Sequence, residues 1–324
     1  MVLGPAVADT VPGTFTNPII HSGADPWVVQ RDGYYYFCHV SKGELGVSRT
    51  RNLTQMGTAP FVPVWKPPAS GPYSRNIWAP ELHHLRGRWY IYFAADDGRN
   101  ENHRMFVLEG DAVDPQRPFS LKGKVASADD HWAIDGTVLQ MPTNELYFIW
   151  SGWEGTNNVA QNLYIAPLAN PWTISGPRVR ISHPERDWEA HGTPRVNEGP
   201  EVLWHGTNLF VIYSASGSWT DHYCLGQLRF GGGSVMEPSS WVKHPSPVFS
   251  QNEVAWGPGH ASFVKSPDGL EDWIVYHAAQ WRGSGWKRDI RVQPFGWNPD
   301  STPNFGQPIS PGTPLPMPAG TERQ

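Results

Sequence analysis

The chain alternates between runs of four to six apolar residues, mostly β-branched or aromatic, and short clusters of Gly, Pro, Asn, Asp and Ser. No stretch sustains an apolar stripe at helical spacing between caps, so the pattern predicts strands and turns rather than long helices. Self-similarity then organises the strands. Five segments share one plan of apolar strand, tight turn and aromatic strand. They are Ala24–Val29 with Tyr34–Phe37, Trp78–Leu82 with Trp89–Phe93, Ile134–Leu139 with Leu146–Trp150, Glu198–Leu203 with Leu209–Tyr213, and Gly259–Val264 with Trp273–Tyr276. Gly33, Gly87, Asn144, Gly206 and Gly269 sit in the turns, at successive steps of 54, 57, 62 and 63 residues. A unit of about 60 residues holds four short strands with their loops, which is the size of a propeller blade. The prediction is an all-β, five-bladed β-propeller forming one domain over residues 1–324, with an N-terminal segment over about 1–16 and a closing loop or tail from about 299 to 324.

Composition sharpens this. The 33 Gly and 32 Pro are spread between apolar runs and read as turns, while charged residues make up only 17% and 17 Trp stand out. A net charge of −5 leaves no basic footprint for nucleic acid. No uncharged apolar stretch reaches the ~18 residues a membrane helix needs. A monomer is expected. Cys38 and Cys224 lie in strand-like apolar settings and read as buried thiols, with a disulfide between them left open. Met1–Asp9 lacks the basic start and apolar core of a signal peptide. The expectation is an extracellular protein whose signal has been removed, with an intracellular one as the alternative.

In a propeller the first strand of each blade lines a central channel, so positions about 60 residues apart meet on one axis. That phase carries Asp25, Ala79 and Asp135, with Glu198 one step earlier in the fourth unit. Three carboxyls converging in a partly desolvated funnel raise one another's pKa, and carboxyls driven apart in pKa suit acid–base hydrolysis. Trp27, Trp78, Trp132 and Trp153 lie beside the same loops. Aromatic faces suit the C–H faces of sugars. Trp27 and Trp78 are the favoured platforms, Trp153 is a further candidate, and most remaining Trp are left to core packing.

Asp25 in Ala24-Asp25-Pro26, the run Trp78-Ala79-Pro80-Glu81, Asp135 in Ile134-Asp135-Gly136 and Glu198 in Glu198-Gly199-Pro200 resemble the blade motifs of glycoside hydrolase family 43, over about residues 17–298. The resemblance implies an inverting enzyme acting on arabinan or arabinoxylan polymers and oligomers of the plant cell wall. It matches Asp25 to the general base, Glu198 to the general acid and Asp135 to the residue that tunes and orients the acid. An inverting pair stands ~6.5–9.5 Å apart to admit water, a gap that a propeller mouth can supply. Arg288 resembles the family's late Arg that meets sugar hydroxyls, with Arg291 as the alternative. His260 resembles a channel His beside a water-bound cation, commonly calcium; no cofactor is otherwise implied. The resemblance favours an exo-acting α-L-arabinofuranosidase cleaving α-1,5 links, with β-xylosidase or endo-arabinanase of the same family as alternatives. Loops near 97–103, 153–160 and 183–197 would decide exo or endo action by blocking the groove. A noncatalytic sugar-binding propeller, a protein-interaction propeller and a retaining fructan-cleaving relative are the rival readings.

Overall fold

The computed structural model describes residues 13–322. Most of the expected N-terminal segment, including Met1–Asp9, and the last two residues of the expected tail lie outside the described residues. The described chain is nearly all β, with only short 3₁₀ turns between strands.

Each hairpin expected from the sequence is present as an antiparallel pair. They join Trp27–Arg31 to Tyr34–Ser41, Arg75–Leu85 to Arg88–Asp96, Ala133–Gln140 to Leu146–Gly152, Arg195–His205 to Asn208–Ala215, and Trp256–Lys265 to Asp272–Ala279. Two of the turns, Asp32-Gly33 and Arg86-Gly87, have consecutive positive φ. That is the primed two-residue turn whose twist matches the flanking strands.

The first, second and last hairpins each extend into a separate four-stranded sheet, whereas the third and fourth share a nine-stranded sheet. The fusion has a local cause. Ala160 and Gln161, at the start of strand Ala160–Asn170, pair in parallel with Arg195 and Val196 at the start of the next unit. Two residue pairs therefore bridge what the sequence predicts as separate units.

The core is divided into seams. Trp27, Tyr36 and Cys38 of the first hairpin unit pack with Leu82, Trp89 and Phe93 of the second. The second packs on the third through Tyr92, Met105, Phe148 and Trp150. Ile149, Leu163, Tyr213 and Leu228 join the third to the fourth, and Phe210, Ile212, Ala261 and Tyr276 the fourth to the last. A final seam returns from the last to the first through Val28, Tyr35, Phe37, Trp273 and Val275. The first strands touch in the same cyclic order. Aromatic side chains fill these seams because flat, large faces cover the space between twisted sheets. Cys38 and Cys224 are buried free thiols, not a disulfide.

The two ends of the described chain close this circuit. Thr14–Thr16 pairs antiparallel with Pro314–Pro316. Asn17 also donates to the Val292 carbonyl at 2.7 Å and accepts the Val292 N–H at 2.9 Å. Phe15, 7% exposed, sits 6.0 Å from the Trp273 ring. Truncating a buried aromatic removes its transfer free energy and leaves a cavity. Phe15→Ala should therefore cost about 3 kcal/mol of stability, read from urea unfolding curves; a loss below about 1 kcal/mol would mean that the clasp does not hold the circuit closed.

Candidate active site

One backbone feature recurs near the start of the first strands. Asp25, Ala79, Asp135, Gly199 and His260 all have left-handed φ, between 40° and 54°. In the last four hairpins the strand register shifts at this point. Such irregularities re-aim side chains, while a left-handed φ costs an L-residue roughly 1–2 kcal/mol. The fourth unit places Gly there and its carboxyl one residue earlier. Space there is tight, because a Cβ on Gly199 would stand 3.1 Å from the His260 ring. Its N–H instead donates to Asp135 Oδ2 at 3.1 Å.

These positions open into a cleft of about 540 Å³, bringing together Asp25, Asp135, Glu198, His260, Arg288 and Trp78. Asp25 Oδ1 lies 3.2 Å from His260 Nδ1 and 3.4 Å from Arg288 Nη1. Burial works to raise Asp25, but His260 chiefly, with Arg288, outweighs it and holds the carboxyl well below the usual range. His277 Nδ1 is also 3.3 Å from Asp25 Oδ1. Burial, with Arg288 adding to it, lowers His277 to about 3, so the ring is neutral. Its Nδ1 accepts the Asp25 N–H at 3.1 Å. A neutral ring that accepts through that nitrogen cannot also donate from it, so the charge balance at Asp25 belongs to His260 and Arg288.

The other carboxyls behave oppositely. Burial lifts Asp135 to about 6 against the pull of His260. Burial and then the Asp135 charge push Glu198 up to about 8, although the Tyr223 hydroxyl donates to Glu198 Oε1 at 2.9 Å and pulls it back. Burial alone would lower His260; Asp25, Asp135 and Glu198 lift it to about 9. Near neutral pH the cleft thus holds an ionised Asp25, an ionised Asp135, a protonated Glu198 and a cationic His260. A carboxylate and a carboxylic acid facing one cleft are the pair needed to activate water and to protonate a leaving oxygen.

The His260 ring that the resemblance sets beside a water-bound cation has its Nδ1 3.2 Å from Asp25 Oδ1. Among the described residues, no group of three or more His, Cys, Asp or Glu side chains is arranged to hold a metal ion.

Arg288, rather than its alternative Arg291, faces the cleft; Arg291 is buried against Asp289, with Nε donating to Oδ1 at 2.6 Å. Trp78 is 40% exposed and stacks on His103 at 4.0 Å. Two expected platforms need correction. Trp27 is buried in the first seam, its indole N–H donating to the Leu82 carbonyl at 2.8 Å, and does not line the cleft. Trp153 lies behind Trp132, stacked on it at 4.8 Å, so Trp132 takes the cleft-lining position. The loops singled out in the sequence do reach the rim, through Asn100, Asn158 and Pro194.

Trp219, Trp286, Tyr223 and His277 were not singled out in the sequence. The two tryptophans lie in Gly/Ser-containing loops that follow the second strands of the fourth and last hairpins. The loop at 97–103 occupies the same place in the second, so the repeat held the signal.

The profile described as "Glycosyl hydrolases family 43" matches residues 15–303. The chain belongs to family 43. It is 38% identical over 313 residues to "Alpha-L-arabinofuranosidase 43" of Humicola insolens, and 38% identical over 314 residues to "Extracellular exo-alpha-(1->5)-L-arabinofuranosidase" of Streptomyces avermitilis. Each match covers 92% of this chain but only 64% of the relative's length. The crystal structure of α-L-arabinofuranosidase from Lactobacillus brevis superimposes with a TM-score of 0.85 at 35% identity, covering 92% of this chain and 98% of that one. Members of this family are glycoside hydrolases that generally need no cofactor.

The Asp135–Glu198 pairing has a direct test. Asp135→Asn removes the negative charge that helps Glu198 keep its proton, so Glu198 ionises earlier. The alkaline limb of kcat/KM, near pH 8 in the parent, should move to lower pH by on the order of one unit. An unmoved limb would separate the two groups.

Proposed function

We propose that this chain is an inverting, exo-acting α-L-arabinofuranosidase that releases L-arabinofuranose from α-1,5-linked arabinan and its oligosaccharides. The observation that carries the mechanism is the opposite displacement of two carboxyls in one cleft, Asp25 far down and Glu198 up to about 8. Asp25 takes a proton from a water on one face of the sugar, and that water attacks the anomeric carbon. Glu198 gives its proton to the departing glycosidic oxygen. Asp135, held by the Gly199 N–H, keeps Glu198 protonated and aimed. Arg288 meets sugar hydroxyls while balancing Asp25, and Trp78 offers the exposed ring face. The choice of arabinofuranose follows the names of the relatives, as does action outside the cell.

The same proposal treats the fold as a five-bladed β-propeller acting as one catalytic domain and as a monomer. The cyclic seams and cyclic first-strand contacts support it, with the nine-stranded sheet counted as two blades joined by the short parallel bridge.

Sugar release from linear α-1,5-arabinan and from xylo-oligosaccharides tests the reading. Arabinose alone is expected. Glu198→Ala should lower kcat by about 10²–10⁴-fold, the contribution of a positioned acid. Product anomers followed by NMR should show inversion. Xylose as the main product would overturn the substrate, and a retained anomer would overturn the roles of Asp25 and Glu198.

A further inference from the structure

We propose that Trp219 and Trp286 form the subsite for the leaving arabinofuranosyl unit, and that Ser218 ties this subsite to Arg288 beside the catalytic base; the inference rests on the function proposed above.

The acid's own hairpin builds the first half of the subsite. Glu198 pairs with Ser214, and the chain beyond strand Asn208–Ala215 runs through Trp219 to Tyr223, whose hydroxyl donates to Glu198. In an inverting reaction the acid protonates the leaving oxygen on the side opposite the activated water. The departing sugar must therefore lie beside Glu198. Trp78 lines the cleft too, but with Ala24 and Asp25 it also walls a second cavity of about 450 Å³ that Glu198, Trp219 and Trp286 do not line. The leaving unit meets the Trp219 loop, not Trp78.

The two indoles are held in place before any sugar arrives. Trp219 lies against bare backbone: a Cβ on Gly217 would stand 2.6 Å from its ring, and one on Gly192 3.0 Å. Gly217 donates to the His191 carbonyl at 2.6 Å, which anchors that backbone. Trp286 comes from the last hairpin's loop, with its ring 6.2 Å from Trp219 at 71°. Its indole N–H donates to Ser218 Oγ at 3.2 Å, and the Gly283 N–H ties the two loops through Asp221 Oδ1 at 2.8 Å. Trp286 is nevertheless 69% exposed. A fixed ring with its polar edge already bonded and its face uncovered at the cleft is a surface for an apolar ligand face. Two such faces near a right angle suit the C–H side of a puckered furanose.

Ser218 carries the connection inward. Its side chain accepts from Trp286, and its carbonyl accepts from Arg288 Nη2 at 2.9 Å. Arg288 Nη1 in turn reaches Asp25 Oδ1 at 3.4 Å. Sugar packed on Trp286 steadies the loop that positions the base's counter-ion.

The test compares α-1,5-arabinobiose with methyl α-L-arabinofuranoside, whose leaving group is too small to reach the tryptophans. For Trp286→Ala and Trp219→Ala, the loss in kcat/KM on the disaccharide should exceed the loss on the methyl glycoside by roughly ten-fold. Trp286→Phe, which keeps a ring face but loses the N–H bonded to Ser218, should restore only part of it. Ser218→Ala keeps the carbonyl used by Arg288 but frees the Trp286 N–H, and should act on KM for the disaccharide more than on kcat. Equal losses on both substrates, or no loss on the disaccharide, would overturn the subsite while leaving the enzyme's proposed function intact. A parent enzyme that releases arabinose from neither substrate would overturn that function and this inference with it.

Discussion

The site depends on a backbone constraint repeated at five positions. Asp25, Ala79, Asp135, Gly199 and His260 are left-handed near the start of the first strands, and in the last four hairpins the ladder shifts register there. A straight strand points alternate side chains into the seams on either side. The kink frees one residue per unit from that alternation. The strain is offset by hydrogen bonds that the kinked residues make, such as Asp25 N–H to His277, Gly199 N–H to Asp135 and His260 N–H to Ser214 Oγ at 2.8 Å.

Once those side chains share a cleft, their charges must be reconciled. Three carboxyls with no cation would each be pushed towards the protonated form by burial and mutual repulsion. His260 and Arg288 prevent that only for Asp25, which they touch directly. Asp135 and Glu198 lie further from that relief and remain raised. Under the proposed roles, base and acid thus differ in whether they touch the two cations. His277 contributes by geometry instead, accepting the Asp25 amide while its buried Nε2 lacks a partner among the described residues.

Much of this was legible because the sequence repeats. Alternating aromatic runs and spaced turns locate the hairpins, and a shared phase identifies Asp25, Asp135, Glu198 and His260 as neighbours. The repeat did not reveal which face of a strand a tryptophan takes. Trp27 follows the kink by two residues and returns to the seam, where Leu82 captures its N–H. Trp153 and Trp132 are both near the cleft, but stacking puts one behind the other. Tyr223 and His277 carry no motif of their own; their roles arise from contacts with Glu198 and Asp25 made only after folding. The parallel bridge joining the third and fourth units involves two residues at strand starts, too short a pairing to leave a pattern.

The closing seam has a consequence for how the chain becomes an enzyme. The contacts that join Asp25 to His277 and Arg288 span 252 and 263 residues, and the terminal strands that complete the circuit lie about as far apart. Such distant pairings form slowly compared with hairpins. Until the last sheet docks against the first, Asp25 is a solvated carboxylate with neither His260 nor Arg288 beside it. Its depressed pKa inside a buried cleft is therefore a signature of topological completion: a chain with every hairpin formed but the circuit still open would have its strands and turns, yet no cleft around this carboxylate.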